Sequence, residues 1–361
     1  MGYNFIKITE KESALLELLK LFLLIQVVIG HAIALAFPKI IDLDLNSVSG
    51  LSISIFKTFF SFGRESAYMF VFLSGFFTAK IFFNNSNQFN LLEVIKKRIF
   101  RIYPVLLTAM ILSYFLDFTG MIIFNYPIYQ INSFSLDVAS SFNYQSFLWN
   151  LLSLQPTFFE TFGSNTPLWT LGYLVQFYFI AAIIKGIARR SNIYFSIIIL
   201  ITILSCSLIN LEFALLLSVW FMGSLIRYFS FKDISLNNLI LFGSIIILLI
   251  ILRFSPKYLS IFLTPILGGL ILIFIKKLPQ SFFGIRFASF PKLPDISYSL
   301  YAVHMPILFL IYGFLVVHFD TSLFTNQLIY VISSFLLSLL VSFIVFKIPE
   351  ILKEQFKKHY N

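Results

Sequence analysis

Long apolar stretches, interrupted by short polar segments, run through the whole 361-residue chain. A helix needs about 20 mainly apolar residues to cross the hydrocarbon core of a bilayer, and stretches of that length recur from one end to the other. We predict ten membrane helices, over residues 15–37, 66–83, 104–124, 168–187, 193–210, 212–229, 236–252, 258–275, 296–317 and 325–346. The predicted fold is therefore all-α, a polytopic membrane protein with one transmembrane domain over residues 1–361.

The placement of positive charge predicts the orientation, because Lys and Arg collect in the cytoplasmic segments of membrane proteins. With the N-terminus inside, most Lys and Arg residues fall in the predicted inner segments, whereas residues 125–167 contain none. Both termini are thus predicted to be cytoplasmic. The same distribution accounts for the net charge of +10, so we expect contact with membrane lipid and no nucleic-acid partner.

Composition excludes several classes of protein. With 59% hydrophobic residues, 12% charged residues and a mean hydropathy of +0.91, the chain is too apolar for an ordinary soluble domain. The single cysteine, Cys206, allows neither a disulfide framework nor a cysteine-based metal site. No carboxylate cluster lies within a predicted span, so we expect no metal. The polar segment Tyr126–Asn150 is predicted to be a loop, and Asp117 and Lys185 are interpreted as residues near helix ends.

Two histidines, His31 and His304, lie inside predicted spans. An ionisable residue within a span is costly and by default suggests a functional site. The alternative is an interhelical hydrogen bond, and for His31 the residues alone favour neither interpretation. Gly30, next to His31, permits close approach of another backbone or a substrate. Pro306, two residues after His304, is predicted to loosen the backbone hydrogen bonds of its helix.

Several other polar residues have a simple structural interpretation as well as a functional one. Glu17 and Lys20 lie three residues apart and are neighbours on one helix face, as in a surface ion pair. Arg98 and Arg101 present two guanidinium groups that suit phosphate oxygens. A basic cluster beside a span, however, more often only marks the cytoplasmic side of the membrane. Ser74 and Gly75 alone indicate a close helix crossing.

Five short motifs nevertheless occur in order along the chain: Glu17, Lys20, His31 and Ala32; Met69 to Phe76; Arg98 to Pro104; Pro167 to Leu171 with Gln176 to Tyr178; and Ser297 to Tyr301 with His304 and Pro306. Together they resemble the integral-membrane acyltransferase-3 family, the group that contains bacterial O-antigen acetylases. The resemblance covers essentially the whole chain. It departs at two positions, because Leu174 stands where the family has a glutamate and Lys20 where it has an arginine.

The resemblance implies a bacterial inner-membrane enzyme that moves an acyl group, usually acetyl, from cytoplasmic acyl-CoA to a hydroxyl of a cell-envelope polysaccharide or glycolipid. This is an acyltransferase for groups other than aminoacyl groups. In the mechanism we expect, His31 is the general base, and His304 or Tyr298 donates to the oxyanion. Direct transfer and an acyl-histidine intermediate both remain open. The expected acyl-CoA contacts are Arg98, Arg101, Lys97 and Lys20, and the expected substrate contacts are Glu17, Ser74, Gly75 and Trp169.

Two other functions remain alternatives. A non-catalytic relative would keep the scaffold as a polysaccharide exporter or transporter, and the loss of the family glutamate at Leu174 favours it. A purely structural membrane protein would use the two histidines only for packing. The sequence predicts neither the acceptor glycan nor the oligomeric state.

Overall fold

The computed structural model describes residues 8–37, 48–60, 62–83, 91–124, 130–131, 136–190, 210–228, 237–278, 293–321 and 323–360. These residues form twelve helices: α1 Glu10–Ala36, α2 Val48–Phe60, α3 Gly63–Phe83, α4 Leu91–Phe124, α5 Val138–Ser141, α6 Tyr144–Leu151, α7 Leu168–Arg190, α8 Leu211–Tyr228, α9 Asn238–Phe254, α10 Lys257–Lys277, α11 Leu293–His318 and α12 Phe324–Tyr360. Two short strands, β1 (Gln130–Ile131) and β2 (Leu136–Asp137), pair antiparallel.

The all-α membrane fold predicted from the sequence is confirmed. Within the described residues, five helical segments are long and apolar enough to cross a bilayer: Glu12–Ala36, Arg98–Phe124, Lys257–Lys277, Ile296–His318 and Phe324–Ile348. Leu168–Ala182 and Asn238–Phe254 are shorter apolar helices. The predicted span 193–210 lies outside the described residues, and the total of ten spans stays a prediction.

Three helices were not expected. Helix α2 has 13 residues, too few to cross the bilayer, which is why a search for spans misses it. Helices α5 and α6 lie in the segment predicted to be a loop. Both begin at polar caps: Asp137 accepts from the backbone N–H groups of Ala139 and Ser140, and Asn143 accepts from that of Ser146. The polar residues that indicated a loop therefore also start helices.

Contacts divide the chain into two compact units. The first unit contains α1 up to Leu23, most of α3, the start of α4, α7 from Tyr173, and α8 to α10. Its core is aromatic, with Phe177 edge-on to Phe213 and with Trp220 fully buried. Helices α3 and α8 cross closely at Gly75 and Gly223. A side chain at Gly75 would meet the backbone of Trp220, and one at Gly223 would meet the backbone of Phe72.

The second unit contains the remainder of α1, together with α2, most of α4, α5, α6, the start of α7, α11 and α12. Helices α11 and α12 form its main antiparallel contact. One of its core clusters joins Ala32 and Ile33 of α1 to Met305, Leu308 and Phe309 of α11. Since α1 and α11 carry the two histidines, this apolar packing fixes the distance between them.

Candidate functional site

His31 and His304 lie side by side in the second unit. The Nδ1 atom of His31 is 3.0 Å from Nε2 of His304. Their rings stack nearly parallel, with centroids 5.3 Å apart and planes 7° apart. His304 is fully buried, whereas His31 retains some exposed surface. The two histidines that the sequence singled out separately, 273 residues apart, thus form one pair.

The surroundings of His304 determine where the protons of this pair lie. Its Nδ1 is 2.9 Å from the carbonyl oxygen of Tyr301 and 3.2 Å from that of Leu300. Carbonyl oxygens only accept hydrogen bonds, so Nδ1 of His304 carries a hydrogen and donates it. In the uncharged ring, Nε2 then has only a lone pair and accepts from Nδ1–H of His31. The remaining nitrogen, Nε2 of His31, consequently holds an unprotonated lone pair.

Asn165 connects the helix of His304 to the segment between α4 and α7. Pro306 has no N–H, so the carbonyl of Ala302, four residues earlier in α11, has no helical donor. The side chain of Asn165 supplies one, with its Nδ2 2.8 Å from the Ala302 oxygen. The same amide nitrogen lies 3.0 Å from Oγ of Ser113 in α4. Asn165 therefore holds α11 at a point half a turn before His304.

A buried carboxylate anchors the turn that carries Asn165. Asp117 is fully buried and accepts from the backbone N–H of Ser164 at 2.8 Å and from its hydroxyl at 2.6 Å. Gly163 has a φ of 59°, and a side chain there would collide with the Asp117 carboxylate. The interpretation of Asp117 as a residue at a helix end is therefore wrong, since the side chain organises a buried turn.

Two tyrosines of α11 lie near the histidine pair in sequence but differ in position. The ring of Tyr301 is 5.9 Å from that of His304, and its hydroxyl is hydrogen-bonded to Oγ1 of Thr170. The hydroxyl of Tyr298, by contrast, donates to the backbone oxygen of Ile102 at 3.3 Å. Tyr298 lies more than a turn before His304, so the structure brings Tyr301 rather than Tyr298 to the pair.

The close approach predicted at Gly30 is confirmed. A methyl group at this position would lie 3.2 Å from the carbonyl oxygen of Phe60 and 3.6 Å from the backbone of Gly63. The backbone between α2 and α3 therefore passes directly beside the residue that precedes His31. A side chain at position 30 would push these segments apart and shift His31.

The predicted phosphate-binding residues lie on one turn of α4. Arg98 is half-buried and Arg101 is exposed, and both have contacts to other groups. Lys97 belongs to the same helix. Both arginines lie at the start of the predicted span, as the sequence indicated. Their geometry fits a phosphate-binding role and a role in setting the membrane orientation equally well.

Glu17 and Lys20, in the first unit, form the ion pair that their spacing predicts, with Nζ of Lys20 2.8 Å from Oε1 of Glu17. The Lys20 ammonium also lies 3.9 Å from the centre of the Phe77 ring. A cation over an aromatic face gains electrostatic energy where water is scarce. The lysine is therefore held by two partners rather than extended into solvent.

The remaining predicted substrate residues are placed in different surroundings. Oγ of Ser74 is 2.6 Å from the Tyr178 hydroxyl and accepts from Nε1 of Trp220 at 3.3 Å. Gly75 is buried against the backbone of Trp220, which is the helix crossing that the residues alone indicated. Trp169, in the second unit, is half-buried at the start of α7.

Some functional candidates were missed by the sequence reasoning. Thr170 and Tyr301 stood within the quoted motifs but received no role, and Asn165 was not considered. Pro306 gave a usable signal for Asn165, because a proline inside a span leaves a carbonyl that needs a donor. In the described part of the chain, no three His, Cys, Asp or Glu residues are grouped so as to hold a metal ion.

Comparison with known protein families gives a match over most of the chain. The family model Acyl_transf_3, described as an acyltransferase domain, matches residues 14–347 and so includes both histidines and both arginines of the basic motif. Neither the curated proteins nor the solved structures contain a match to this chain.

Proposed function

The chain belongs to the acyltransferase-3 family and is a multi-pass membrane acyltransferase, and on that premise we propose that it transfers an acyl group from cytoplasmic acyl-CoA to a cell-envelope glycan hydroxyl. The acceptor class is a polysaccharide or glycolipid, and the location is the bacterial inner membrane. The observation that carries the catalytic part of this proposal is the His31–His304 hydrogen bond, which leaves an unprotonated nitrogen on the half-buried imidazole of His31.

His31 is the general base of the proposed reaction. Its Nε2 takes the proton of the acceptor hydroxyl while the hydroxyl oxygen forms a bond to the thioester carbon. The tetrahedral intermediate collapses as the carbon–sulfur bond breaks, and the departing CoA thiolate receives the proton from His31. The products are an acylated glycan and CoA thiol. Base catalysis by a positioned side chain contributes about 10²–10⁴-fold.

His304 is proposed to position His31 rather than to donate to the oxyanion. Both of its nitrogens are already engaged, Nδ1 with the carbonyls of Leu300 and Tyr301 and Nε2 with His31. When His31 takes up a proton, its Nδ1–H bond to His304 strengthens, because the donor becomes charged. The carbonyls of Leu300 and Tyr301 keep accepting from Nδ1–H of His304, so its Nε2 stays available as the acceptor. The tautomer is thus fixed by backbone groups, without the carboxylate that Leu174 has replaced.

The acyl-CoA donor is proposed to meet the basic turn of α4. Arg98 and Arg101 lie on the predicted cytoplasmic side, and arginine forks match phosphate oxygens in two-point contacts. Lys97, on the same helix, adds positive charge in the same role, and Lys20 of the first unit stays a predicted contact of the donor. Glu17, Ser74, Gly75 and Trp169 stay predicted substrate contacts, and Tyr298 stays the predicted alternative donor to the oxyanion.

The first test is transfer of radiolabelled acetyl from acetyl-CoA to glycan in membranes that contain the wild-type chain or His31→Ala. We expect the variant to lose about 10²–10⁴-fold in transfer rate. His318→Ala is the matched control, because His318 lies at the exposed end of the same helix as His304. Equal transfer by wild type and His31→Ala would exclude the base role.

The same experiment separates the enzyme from the exporter. Wild-type membranes that transfer no label to any glycan, but change the amount of surface polysaccharide, would favour the non-catalytic alternative. Mass spectrometry of surface glycans from cells with and without the gene then identifies the acceptor, because each added acetyl changes the glycan mass.

A further inference from the structure

The hydroxyl of Thr170 has no role in the expectations drawn from the sequence. Thr170 lies in the first turn of α7 and is only 3% exposed. Its Oγ1 lies 3.0 Å from the carbonyl oxygen of Pro167 and is hydrogen-bonded to the Tyr301 hydroxyl of α11. Because a buried hydrogen bond is costly to break, this hydroxyl ties the start of α7 to α11.

Tyr301 extends this tie to the histidine pair at two points. Its carbonyl oxygen lies 2.9 Å from Nδ1 of His304 and is the closer of the two carbonyls that receive that N–H group. Its ring lies beside the His304 ring, with centroids 5.9 Å apart and planes 59° apart. A displacement of Tyr301 therefore changes both the hydrogen bond that sets the proton of His304 and the ring contact next to it.

The turn of α11 that carries Tyr301 needs support from outside its own helix. Pro306 supplies no N–H, so this turn lacks one of its backbone hydrogen bonds, at the carbonyl of Ala302. The side chain of Asn165 replaces that bond, with Nδ2 2.8 Å from the Ala302 oxygen. Thr170 holds the preceding residue, Tyr301, by its hydroxyl. Two successive residues of α11 are thus tied to the start of α7 and the turn before it.

The connection from Thr170 to His31 stays within the second unit, which contains all of its residues. It runs from Oγ1 of Thr170 through the side chain and carbonyl of Tyr301 to Nδ1 of His304. From there Nε2 of His304 meets Nδ1 of His31 at 3.0 Å. Each step is a covalent link or a hydrogen bond, so a change at Thr170 has a short physical route to the base.

We propose that Thr170 is a positioning residue of the catalytic base, whose bond to Tyr301 holds the carbonyl that keeps the hydrogen on Nδ1 of His304. This inference rests on the proposed function for the role of His31. When Nδ1–H of His304 loses a well-placed acceptor, the two neutral forms of the pair come closer in energy. Part of the population then carries the hydrogen on Nε2 of His31, which can no longer accept a proton from the acceptor hydroxyl.

The first test measures acetyl transfer by the full-length protein in membranes. Thr170→Val keeps the shape and removes the hydroxyl, whereas Thr170→Ser keeps the hydroxyl. We expect the valine variant to lose about 5–10-fold in kcat, as for one lost hydrogen bond, with the KM for acetyl-CoA unchanged. The serine variant should stay within about twofold of wild type. Thr264→Val is the matched control, since Thr264 is also buried and its hydroxyl bonds within its own helix, to the Ser260 oxygen at 2.8 Å.

The second test shows whether the loss arises at the histidine pair. Nitrogen-15 NMR of histidine-labelled protein in lipid bilayers reports which nitrogen of His31 carries the hydrogen. We expect an unprotonated Nε2 in wild type, Thr170→Ser and Thr264→Val, and an added population with a protonated Nε2 in Thr170→Val. A variant that was only less stable would lose activity without this population, because its folded molecules would keep the wild-type signals.

A double variant tests whether Thr170 and Tyr301 act as one unit. Tyr301→Phe removes the other hydroxyl of the bond and keeps the ring beside His304. Since both hydroxyls serve one hydrogen bond, combining Tyr301→Phe with Thr170→Val should lower kcat no further than either single variant. Losses that multiply would show that the Tyr301 hydroxyl acts separately, and would overturn the inference.

The remaining outcomes are distinct. Equal kcat and equal His31 signals in wild type and Thr170→Val overturn the inference and leave the proposed function standing. A lower kcat with unchanged His31 signals assigns Thr170 to stability and also overturns it. If the wild type transfers no acetyl group, the proposed function fails, while the His31 signals still decide whether Thr170 controls the protonation of the pair. If Thr170→Val does not fold, as judged by its thermal midpoint, Tyr301→Phe takes its place with the same expected results.

Discussion

The two units both bury an ionisable side chain among apolar helices, but they satisfy it differently. In the second unit, His304 is fully buried and both of its nitrogens are hydrogen-bonded. In the first unit, Arg227 is almost as deeply buried, yet its Nε is unbonded and its charge has no counter-ion in the described residues.

The difference explains why the histidine pair, and not the buried arginine, is assigned to catalysis. Groups that hold one another in place fix the orientation of the imidazole, which is the arrangement a catalytic base requires. A buried charge without a counter-ion is costly, and it offers no reactive lone pair for base catalysis. The proposed catalytic pair therefore lies in the second unit, which also carries Arg98 and Arg101 of the proposed donor site.

We expect the largest loss in transfer rate from replacing His304, the buried member of the histidine pair. We expect His304→Phe, which keeps the ring stack but accepts no hydrogen bond, to lower the transfer rate about 10²-fold. His304→Gln restores an acceptor for Nδ1–H of His31 and should recover part of the loss. The rates are measured with acetyl-CoA at saturating concentration, together with its KM. Equal rates for the two variants would contradict the positioning role.

Removing the amide of Asn165 tests the connection between the outer turn and the histidine pair. Asn165→Leu leaves the Ala302 carbonyl, already without a helical donor because of Pro306, unpaired in a buried site. We expect a loss of about 1–3 kcal/mol in stability and about 10-fold in transfer rate, with the KM for acetyl-CoA unchanged. Asn326→Leu is the control, since its amide bonds Asp320 in an exposed turn. An unchanged rate would show that the turn does not position α11.

The smallest effect on the transfer rate is expected from a methyl group added at the close crossing of α3 and α8 in the first unit, which lowers stability instead. Gly75→Ala forces a methyl group against the backbone of Trp220 and should lower stability by about 1–3 kcal/mol. Gly243→Ala is the matched control, because a methyl group there would meet no atom within 4 Å beyond the adjacent backbone of its own helix. Thermal midpoints in detergent check both variants. A midpoint for Gly75→Ala equal to that of wild type would contradict the close crossing.

The two units also show which parts of the fold can be predicted from the sequence. Hydrophobic runs predicted nine described helices because the bilayer imposes a length and a composition on each span. The same rule misses α2, which is too short to span, and the capped helices α5 and α6. The close approach at Gly30 was predictable, since a glycine beside a buried histidine gives a local signal.

The pairing of distant residues was beyond the sequence. Nothing in the spacing of His31 and His304 places their nitrogens 3.0 Å apart, because that distance depends on how α1 and α11 pack. Asp117 was misinterpreted for the same reason, as its partner Ser164 lies 47 residues away. Arg227 was one of many positive charges in the predicted inner segments, and its burial, which the sequence does not show, distinguishes it.

The central claim is that Nε2 of His31 is the basic nitrogen, and nitrogen-15 NMR of histidine-labelled protein in lipid bilayers tests it most directly. The chain has four histidines, and the spectrum of His31→Gln identifies the two signals of His31 by their loss. The account predicts a protonated Nδ1 and an unprotonated Nε2. A protonated Nε2 with an unprotonated Nδ1 in the uncharged ring would contradict it.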